Sequence, residues 1–154
     1  MKGISLFSSA GIAEFYFKNC NIDIVAASEL VEKRAMLHKW LYPNCKMICG
    51  DIGQKDNFNK IKDIALKENC KFLLATPPCQ GMSSLGKKDY DNDKRNFLVF
   101  YAMDLIDECD FDYILIENVP KFLKLYFPYK NNLYLLENIF KDKYSNKYEI
   151  DSFI

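Results

Sequence analysis

The sequence lacks the residues on which several common kinds of site depend. It contains one histidine, His38, and one tryptophan, and its six cysteines are scattered along the chain. Cys45 and Cys49 lie four apart with no second Cys or His pair near them, so a zinc site is not favoured and we expect no metal. His38 falls in a predicted helix, away from the carboxyl ends of the predicted strands. A cysteine hydrolase would therefore lack its base.

Long apolar runs and an excess of charge are also missing. No apolar run approaches the roughly 20 residues that a membrane helix needs, and the N-terminus does not resemble a signal peptide. We therefore expect a cytoplasmic protein without disulfides or a membrane partner, whose cysteines are mostly small buried hydrophobes. The 21 basic and 21 acidic residues balance to a formal net charge of zero. Any strong grip on nucleic acid must then come from a local patch or from another chain.

The 154 residues predict one domain in which β-branched runs alternate with helical stretches. This alternation is typical of an α/β fold with a mostly parallel sheet and helices on both faces. The predicted strands are Gly3 to Phe7, Asp23 to Ser28, Lys46 to Cys49, Phe72 to Ala75, Tyr113 to Glu117 and Tyr148 to Phe153. The predicted helices are Glu32 to Tyr42, Phe58 to Glu68, Phe97 to Cys109 and Leu133 to Lys143.

Two segments interrupt the alternation. Thr76 to Asn96 is long, holds prolines and glycines and ends in a charged run, as functional or mobile connections often do. Pro120 to Asn132 is rich in aromatic residues and lysine. The second segment is compatible with a surface loop or with part of a partner interface.

Residues suited to a nucleoside follow the first three predicted strands. The first strand runs into Phe7-Ser8-Ser9-Ala10-Gly11-Ile12, a turn of small residues that lets the backbone approach a ligand. Glu29 ends the second strand, where an acid can accept hydrogen bonds from both ribose hydroxyls. Asp51 follows the third strand and could accept a bond from an adenine amino group, while Ile52 packs on the ring. Neither G-x-G-x-x-G nor a Walker lysine is present, so a dinucleotide or triphosphate is not favoured.

The fourth strand leads into Thr76-Pro77-Pro78-Cys79-Gln80-Gly81. The two prolines stiffen the loop and fix the direction of Cys79, a thiol at the mouth of the sheet. A thiolate there suits a target carbon that must first be made nucleophilic: attack on C6 of cytosine moves electron density onto C5. The alternative for any single cysteine is inert packing.

The fifth strand ends in Ile116-Glu117-Asn118-Val119-Pro120. Its apolar run predicts a central strand, from which Glu117 would emerge partly buried beside the same pocket as Cys79. A buried carboxylic acid can stay protonated and hydrogen-bond N3 of cytosine, which favours attack at C6. Asn118 would fix the backbone or the base. A structural Glu-Asn pair capping a turn is the alternative.

Together these residues resemble the DNA (cytosine-5) methyltransferase family. The resemblance rests on Phe7 to Gly11, with serine where glycine is commoner in the family, and on Glu29, Asp51, Pro78-Cys79-Gln80 and Glu117-Asn118-Val119. It implies a Rossmann-like fold, S-adenosylmethionine as cofactor, and a flipped cytosine of duplex DNA as substrate. The implied catalytic residues are Cys79, Glu117 and Asn118, and the implied substrate contacts are Gln80 and Ser83. The implied cofactor contacts are Phe7, Ser9, Gly11, Ile12, Glu29, Leu30, Asp51, Ile52, Pro78 and Leu98.

The resemblance covers the catalytic front of the family pattern and stops near a sixth strand. The Gln-x-Arg-x-Arg strand, the target-recognition domain and the closing segment of the family do not follow within the 154 residues. The resemblance therefore implies a fold that is incomplete at its C-terminal end and a second polypeptide that completes it. A truncated frame or an expression fragment would give the same sequence, and we expect weak cofactor binding and poor methylation by the chain alone.

Two other functions fit the same residues. A non-catalytic module would bind the cofactor or associate with DNA through a partner, without forming a covalent adduct. A tRNA cytosine methyltransferase would use the same motifs on RNA, because one branch of the family has that activity. The recognition segment that would separate DNA from RNA lies outside this sequence.

Overall fold

The computed structural model describes residues 1–78 and 94–151. The chain divides into two compact units, one of residues 1–78 and 94–117 and another that includes residues 118–151. The first unit carries the parallel sheet and three helices, and the second carries a hairpin and one helix. No helix in the described part of the chain is long and apolar enough to cross a membrane.

The first unit is built on a five-stranded sheet in which all neighbouring strands are parallel, in the order β3-β2-β1-β4-β5. This confirms the predicted α/β fold with a parallel sheet. The strands are β1 (Lys2–Leu6), β2 (Asp23–Glu29), β3 (Lys46–Cys49), β4 (Phe72–Ala75) and β5 (Tyr113–Ile116). Each begins where predicted to within one residue. The first predicted strand ends early because Phe7 has a φ of 61°.

Helices α1 (Glu32–Leu41), α2 (Lys55–Lys67) and α3 (Val99–Glu108) form the connections after β2, β3 and β4. Right-handed crossovers place α1 on one face of the sheet and α2 and α3 on the other, because the chain reverses direction between β3 and β4. Short 3-10 helices cover Phe17–Cys20 and Lys94–Leu98. The predicted helix from Phe97 therefore begins as a 3-10 segment, and α2 begins earlier than predicted.

Burial differs along the sheet. All four residues of β4 are buried, and four of the five residues of β1 are buried. In β5, Tyr113 is 59% and Leu115 is 45% exposed, although Leu115 pairs with the buried Leu74. The prediction that the fifth strand is central is wrong for the described residues, because β5 has a single strand neighbour there.

The carboxyl ends of the strands bring distant sequence positions together. The strand order reverses between β1 and β4, and ligands of open α/β sheets bind beside such a switch, at the carboxyl ends of the strands. The turns after β1, β2 and β3 all open at this edge. The fold therefore gathers the predicted nucleoside-binding residues at one place.

The second unit contains an antiparallel hairpin that the sequence did not predict. Strands β6 (Tyr126–Tyr129) and β7 (Asn132–Leu135) follow a 3-10 helix at Pro120–Lys124 and lead directly into α4 (Leu136–Tyr144). Lys130 and Asn131 form the turn with φ values of 47° and 63°, as a two-residue hairpin turn with right-handed twist requires. The predicted helix over 133–143 is wrong at its start, because residues 133–135 belong to β7. Residues 120–132, compatible in sequence with a surface loop or a partner interface, contain the 3-10 helix and β6.

The predicted sixth strand over 148–153 is not formed by residues 148–151. The backbone amide of Tyr148 instead donates to the carbonyl of Tyr144, which continues the last turn of α4. Residues 152–154 lie outside the described part of the chain.

Candidate functional site

A cavity of about 220 Å³ opens at the carboxyl ends of β1, β2 and β3. Its lining combines two acids, one arginine and a larger apolar surface. The residues are Phe7, Ser28, Glu29, Leu30, Gly50, Asp51, Ile52, Arg95 and Leu98. Six of the predicted cofactor contacts are among them, drawn from four separate stretches of sequence.

Glu29 is the most enclosed charged group of the cavity, with 6% of its surface exposed. Its Oε2 accepts a hydrogen bond of 2.9 Å from the backbone amide of Ser9, and its Oε1 accepts one of 2.7 Å from that of Val31. Each carboxylate oxygen has two acceptor positions, so each can accept one further bond. Glu29 therefore both organises the protein backbone and retains the capacity to bind two hydroxyl groups.

The loop after β1 owes its shape to unusual backbone angles. Phe7, Ser9 and Gly11 have φ values of 61°, 53° and 80°. The amide of Ser8 donates to Ser28 O, and that of Gly11 donates to Ser8 O. Only glycine adopts such angles without strain, so the bonds to Ser28 and Glu29 must hold Phe7 and Ser9 in place. The result is that Phe7 lies on the cavity wall.

Asp51 is exposed and organises its own turn. Its Oδ1 accepts a bond of 2.8 Å from the amide of Gly53, and its carbonyl accepts one of 3.0 Å from the side-chain amide of Asn57. The next residue, Ile52, is 5% exposed. The turn thus holds an acid and a fixed apolar side chain next to each other on the cavity wall.

Leu98 and Arg95 reach the cavity from the 3-10 helix before α3. Residues three apart lie on the same side of a 3-10 helix, which is why both line one wall. Arg95, Ser28 and Gly50 were not predicted as site residues. The spacing of Arg95 from the predicted contact Leu98 is the signal that could have found the arginine.

Four predicted cofactor contacts are not on the cavity wall. Ile12 is 81% exposed, and Gly11 packs against Tyr42 and His38. Ser9 contributes its backbone amide to Glu29, and Pro78 is half-buried at the end of the described stretch. Their role as cofactor contacts stays a prediction.

The candidate catalytic residues are described in part. Cys79, Gln80 and Ser83 lie outside the described residues. Glu117 follows β5 and is exposed, so the expectation of a partly buried acid is wrong here, because the outer strand β5 does not enclose it. The side-chain Oδ1 of Asn118 accepts a bond of 2.8 Å from the amide of Val119, which fits the predicted backbone role.

The family model described as C-5 cytosine-specific DNA methylase matches residues 1–152. The chain belongs to this family. It is 47% identical over 152 residues to the type II methyltransferase M1.HgaI of Avibacterium volantium, a match that covers 96% of this chain and 43% of the relative. It is 31% identical over 124 residues to a tRNA cytosine-38 C5-methyltransferase of Spodoptera frugiperda, covering 79% of this chain and 36% of that protein.

A solved E. coli structure shares the fold of this methylase-family chain. This prophage-encoded protein, described as a DNA modification methyltransferase, superposes with a TM-score of 0.71 at 21% identity, over 97% of this chain and 39% of that one. The chain spans less than half the length of the relatives and structures it matches.

Of the cysteines that the structure describes, three are buried and two are exposed. Burial raises the pKa of Cys45 to about 12 and the pKa values of Cys70 and Cys109 to about 11. These three thiols stay protonated at neutral pH and match the expected small buried hydrophobes. Cys20 and Cys49 are exposed. In residues 1–78 and 94–151, no cluster of three or more His, Cys, Asp or Glu could hold a metal.

The single histidine contacts the loop that follows β1. His38 is fully buried in α1, and its Nε2 lies 3.0 Å from Oε2 of Glu14. Its ring packs against Gly11, in that loop. His38 does not line the cavity at the strand ends.

Proposed function

We propose that this chain is the cofactor-binding and nucleophile-bearing part of a DNA cytosine-5 methyltransferase. The observation that carries the proposal is the cavity that brings Phe7, Glu29, Asp51, Ile52 and Leu98 together at the carboxyl ends of β1, β2 and β3. Its polar and apolar groups match the two halves of adenosine. Membership of the C-5 cytosine-specific methylase family supports the same reaction.

The lining fits S-adenosylmethionine. Glu29 has acceptor positions left for the two ribose hydroxyls, and Ile52 and Leu98 offer apolar surface to the adenine ring. Asp51 has a second carboxylate oxygen beyond the one bound by Gly53. When bound, the cofactor supplies an electrophilic methyl group.

In the proposed reaction, the thiolate of Cys79 forms a bond to C6 of cytosine, and the electron pair of the C5–C6 double bond moves to C5. In the assembled enzyme Glu117 would be enclosed and, as the acid, would donate a hydrogen bond to N3 that stabilises the charge developing on the ring. C5 would then bond to the methyl group, whose bond to the cofactor sulfur breaks with its electron pair left on sulfur, and a water molecule would accept the C5 proton. The electron pair of the C5–H bond restores the double bond and expels the thiolate from C6.

A second polypeptide is the proposed partner. On this chain, the proposed docking surface for it is β5. Within the described residues, one edge of β5 has no neighbouring strand, and Tyr113 and Leu115 are exposed. An unpaired edge next to an exposed apolar face is a template for an added strand. We propose that a segment carrying the remainder of the methylase pattern adds a strand there and encloses Glu117.

We propose that the basic part of the chain, residues 118–147, contacts DNA phosphates. Its first two lysines are Lys121 and Lys124. It holds six lysines and two acids, a net charge of +4, so the rest of the chain carries −4. We expect Lys121→Ala with Lys124→Ala to lower the slope of log affinity against log salt by about 2. Lys141→Ala is the comparison variant, because Lys141 lies in the same unit and forms an ion pair with Glu137. An unchanged slope in the double variant would remove this unit from the DNA interface.

Trapping the covalent intermediate tests the reaction. The chain is mixed with S-adenosylmethionine, duplex DNA containing 5-fluorocytosine, and the C-terminal part of M1.HgaI that lies beyond the matched region. Because fluorine cannot leave as a proton would, we expect an adduct on Cys79 that survives denaturation. Cys79→Ser should give none. If the assembled complex binds the cofactor but the wild-type chain forms no adduct, the non-catalytic alternative is correct.

A tRNA substrate is the second candidate, favoured by the 31% identity to the tRNA methyltransferase of Spodoptera frugiperda. The same trapping reaction with 5-fluorocytosine tRNA distinguishes the two. We expect the duplex DNA to give the higher yield of adduct. A higher yield on tRNA would reverse the assignment of substrate.

A further inference from the structure

The buried side chains of Glu14 and His38 and the half-buried side chain of Tyr42 form a polar cluster beside the loop that follows β1. Oε2 of Glu14 lies 3.0 Å from Nε2 of His38, and their side chains are 2% and 0% exposed. The hydroxyl of Tyr42 donates a bond of 2.7 Å to the carbonyl of Gly11, and the rings of His38 and Tyr42 lie 4.8 Å apart. None of the three lines the proposed cofactor cavity.

Gly11 fits closely against this cluster. A Cβ at position 11 would lie 2.3 Å from Cε2 of Tyr42 and 3.0 Å from Cδ2 of His38, and the φ of +80° also favours glycine. The backbone amide of Glu14 donates back to the carbonyl of Gly11. The cluster therefore fixes the position of Gly11 by contact and by two hydrogen bonds to one carbonyl.

The loop connects Gly11 to the cavity. The amide of Gly11 donates to Ser8 O, and the amide of Ser9 donates to the Glu29 carboxylate. A shift of Gly11 would thus displace the peptide that holds Glu29. These contacts form a continuous path from α1 to the carboxylate that we propose binds the ribose.

We infer that Tyr42 and the Glu14–His38 pair are positioning residues for the cofactor site, acting through Gly11. The inference rests on the proposed function, because it assigns the cavity to the cofactor. The cluster holds the loop from behind and keeps Phe7, Ser9 and Glu29 in their binding geometry. Loss of the cluster weakens cofactor binding without removing any group that touches the cofactor.

Packing alone does not account for the cluster. Oε1 of Glu14 and Nδ1 of His38 are buried and have no hydrogen-bond partner among the described residues. Buried polar pairs with unsatisfied atoms stabilise a fold less than apolar side chains of similar volume. Replacing Glu14 alone by an apolar residue would leave Nε2 of His38 buried without its partner, so it would lower the free energy of unfolding and also lose the bond that directs His38 toward Glu14.

Tyr42→Phe tests the inference, since it removes one hydroxyl and leaves the ring. We expect the dissociation constant of S-adenosylhomocysteine, measured by calorimetry, to rise about 3- to 10-fold. Amide hydrogen exchange in residues 8–16 should also become faster. Tyr129→Phe is the matched control, because it removes a tyrosine bond of 2.6 Å to Asp142 in the other unit. The control should change neither the dissociation constant nor exchange in residues 8–16.

Glu14→Gln and Glu14→Leu separate positioning from stability. The Gln variant keeps a hydrogen bond to His38, so we expect its affinity to stay within about 2-fold of wild type. The Leu variant should bind several-fold more weakly at temperatures well below its unfolding midpoint, where circular dichroism shows it to be folded. Equal affinities for the Leu variant and wild type, or unchanged loop exchange in Tyr42→Phe, would overturn the inference. Absence of binding by the wild-type chain would instead count against the proposed function, and the exchange data would still decide the inference.

Discussion

Glu29 is the last residue of β2 and Glu117 directly follows β5, so both acids lie at the carboxyl ends of strands of one sheet. Their surroundings nevertheless differ. Glu29 is 6% exposed and both its oxygens accept backbone hydrogen bonds, whereas Glu117 is exposed. Strand β2 has a neighbour on each side, β1 and β3, while β5 pairs with β4 alone among the described strands. Sequence position placed both acids at the edge of the sheet. The neighbouring strands determined which acid is enclosed.

The same contrast appears in the leucines of adjacent strands. Leu74 of β4 is 1% exposed, and its register partner in β5, Leu115, is 45% exposed. Within the described residues, the central strands of the sheet are therefore enclosed and the outer strand β5 is open. The comparison predicts that substitutions will affect stability in the central strands and assembly in β5.

Leu74→Ala and Leu115→Ala should give the largest difference. We expect Leu74→Ala to lower the free energy of unfolding by about 2–5 kcal/mol, because it leaves a cavity in the core. Leu115→Ala should lower it by less than about 1 kcal/mol, because the side chain is already half in water. Urea denaturation of the isolated chain measures both. Equal losses would show that β5 is as enclosed as β4.

Glu29→Ala and Glu117→Ala form the second pair. Removing Glu29 leaves the part-buried amides of Ser9 and Val31 without their acceptor, so we expect a loss of about 1–3 kcal/mol of unfolding free energy. Glu117→Ala should change it by less than about 0.5 kcal/mol but abolish adduct formation in the complemented trapping reaction. A destabilised Glu117→Ala chain that still forms the adduct would reverse the roles of the two acids.

Leu115→Lys tests the open strand directly. We expect the chain to fold normally but to bind the complementing segment of M1.HgaI at least about 10-fold more weakly, because a charge would be buried in the added interface. Sedimentation or calorimetry measures the association. Lys62→Ala is a control on α2, in the same unit. Undiminished binding by Leu115→Lys would move the interface away from β5.

The smallest effect concerns the two thiols at the ends of β3, Cys45 just before the strand and Cys49 as its last residue. Burial raises the pKa of Cys45 to about 12, so the thiolate is scarce until the pH approaches that value. Cys49 is exposed. Iodoacetamide at pH 8 should therefore alkylate Cys49 in the native protein and leave Cys45 unmodified, as peptide mass spectrometry would report. Equal labelling of both thiols would mean that the β3 end of the sheet opens in solution.

The sequence predicted the parallel sheet well because each of its strands is a short apolar run bounded by polar residues. It did not predict the hairpin at 126–135, where aromatic residues obscure the strand alternation and the turn is Lys130-Asn131 rather than Asn-Gly. Arg95 was missed because its approach to the cavity depends on a 3-10 turn. The burial of His38 depends on Glu14, which lies 24 residues away and which no local pattern identifies.

The central claim is that a nucleoside cofactor binds in the cavity at the ends of β1, β2 and β3. Titration of the isotopically labelled chain with S-adenosylhomocysteine, followed by amide chemical shifts, detects even weak binding. We predict the largest shifts at Leu30, Gly50, Ile52 and Leu98, and their loss in Ile52→Asp. Absence of shifts at millimolar ligand, or shifts confined to residues 118–151, would contradict the account.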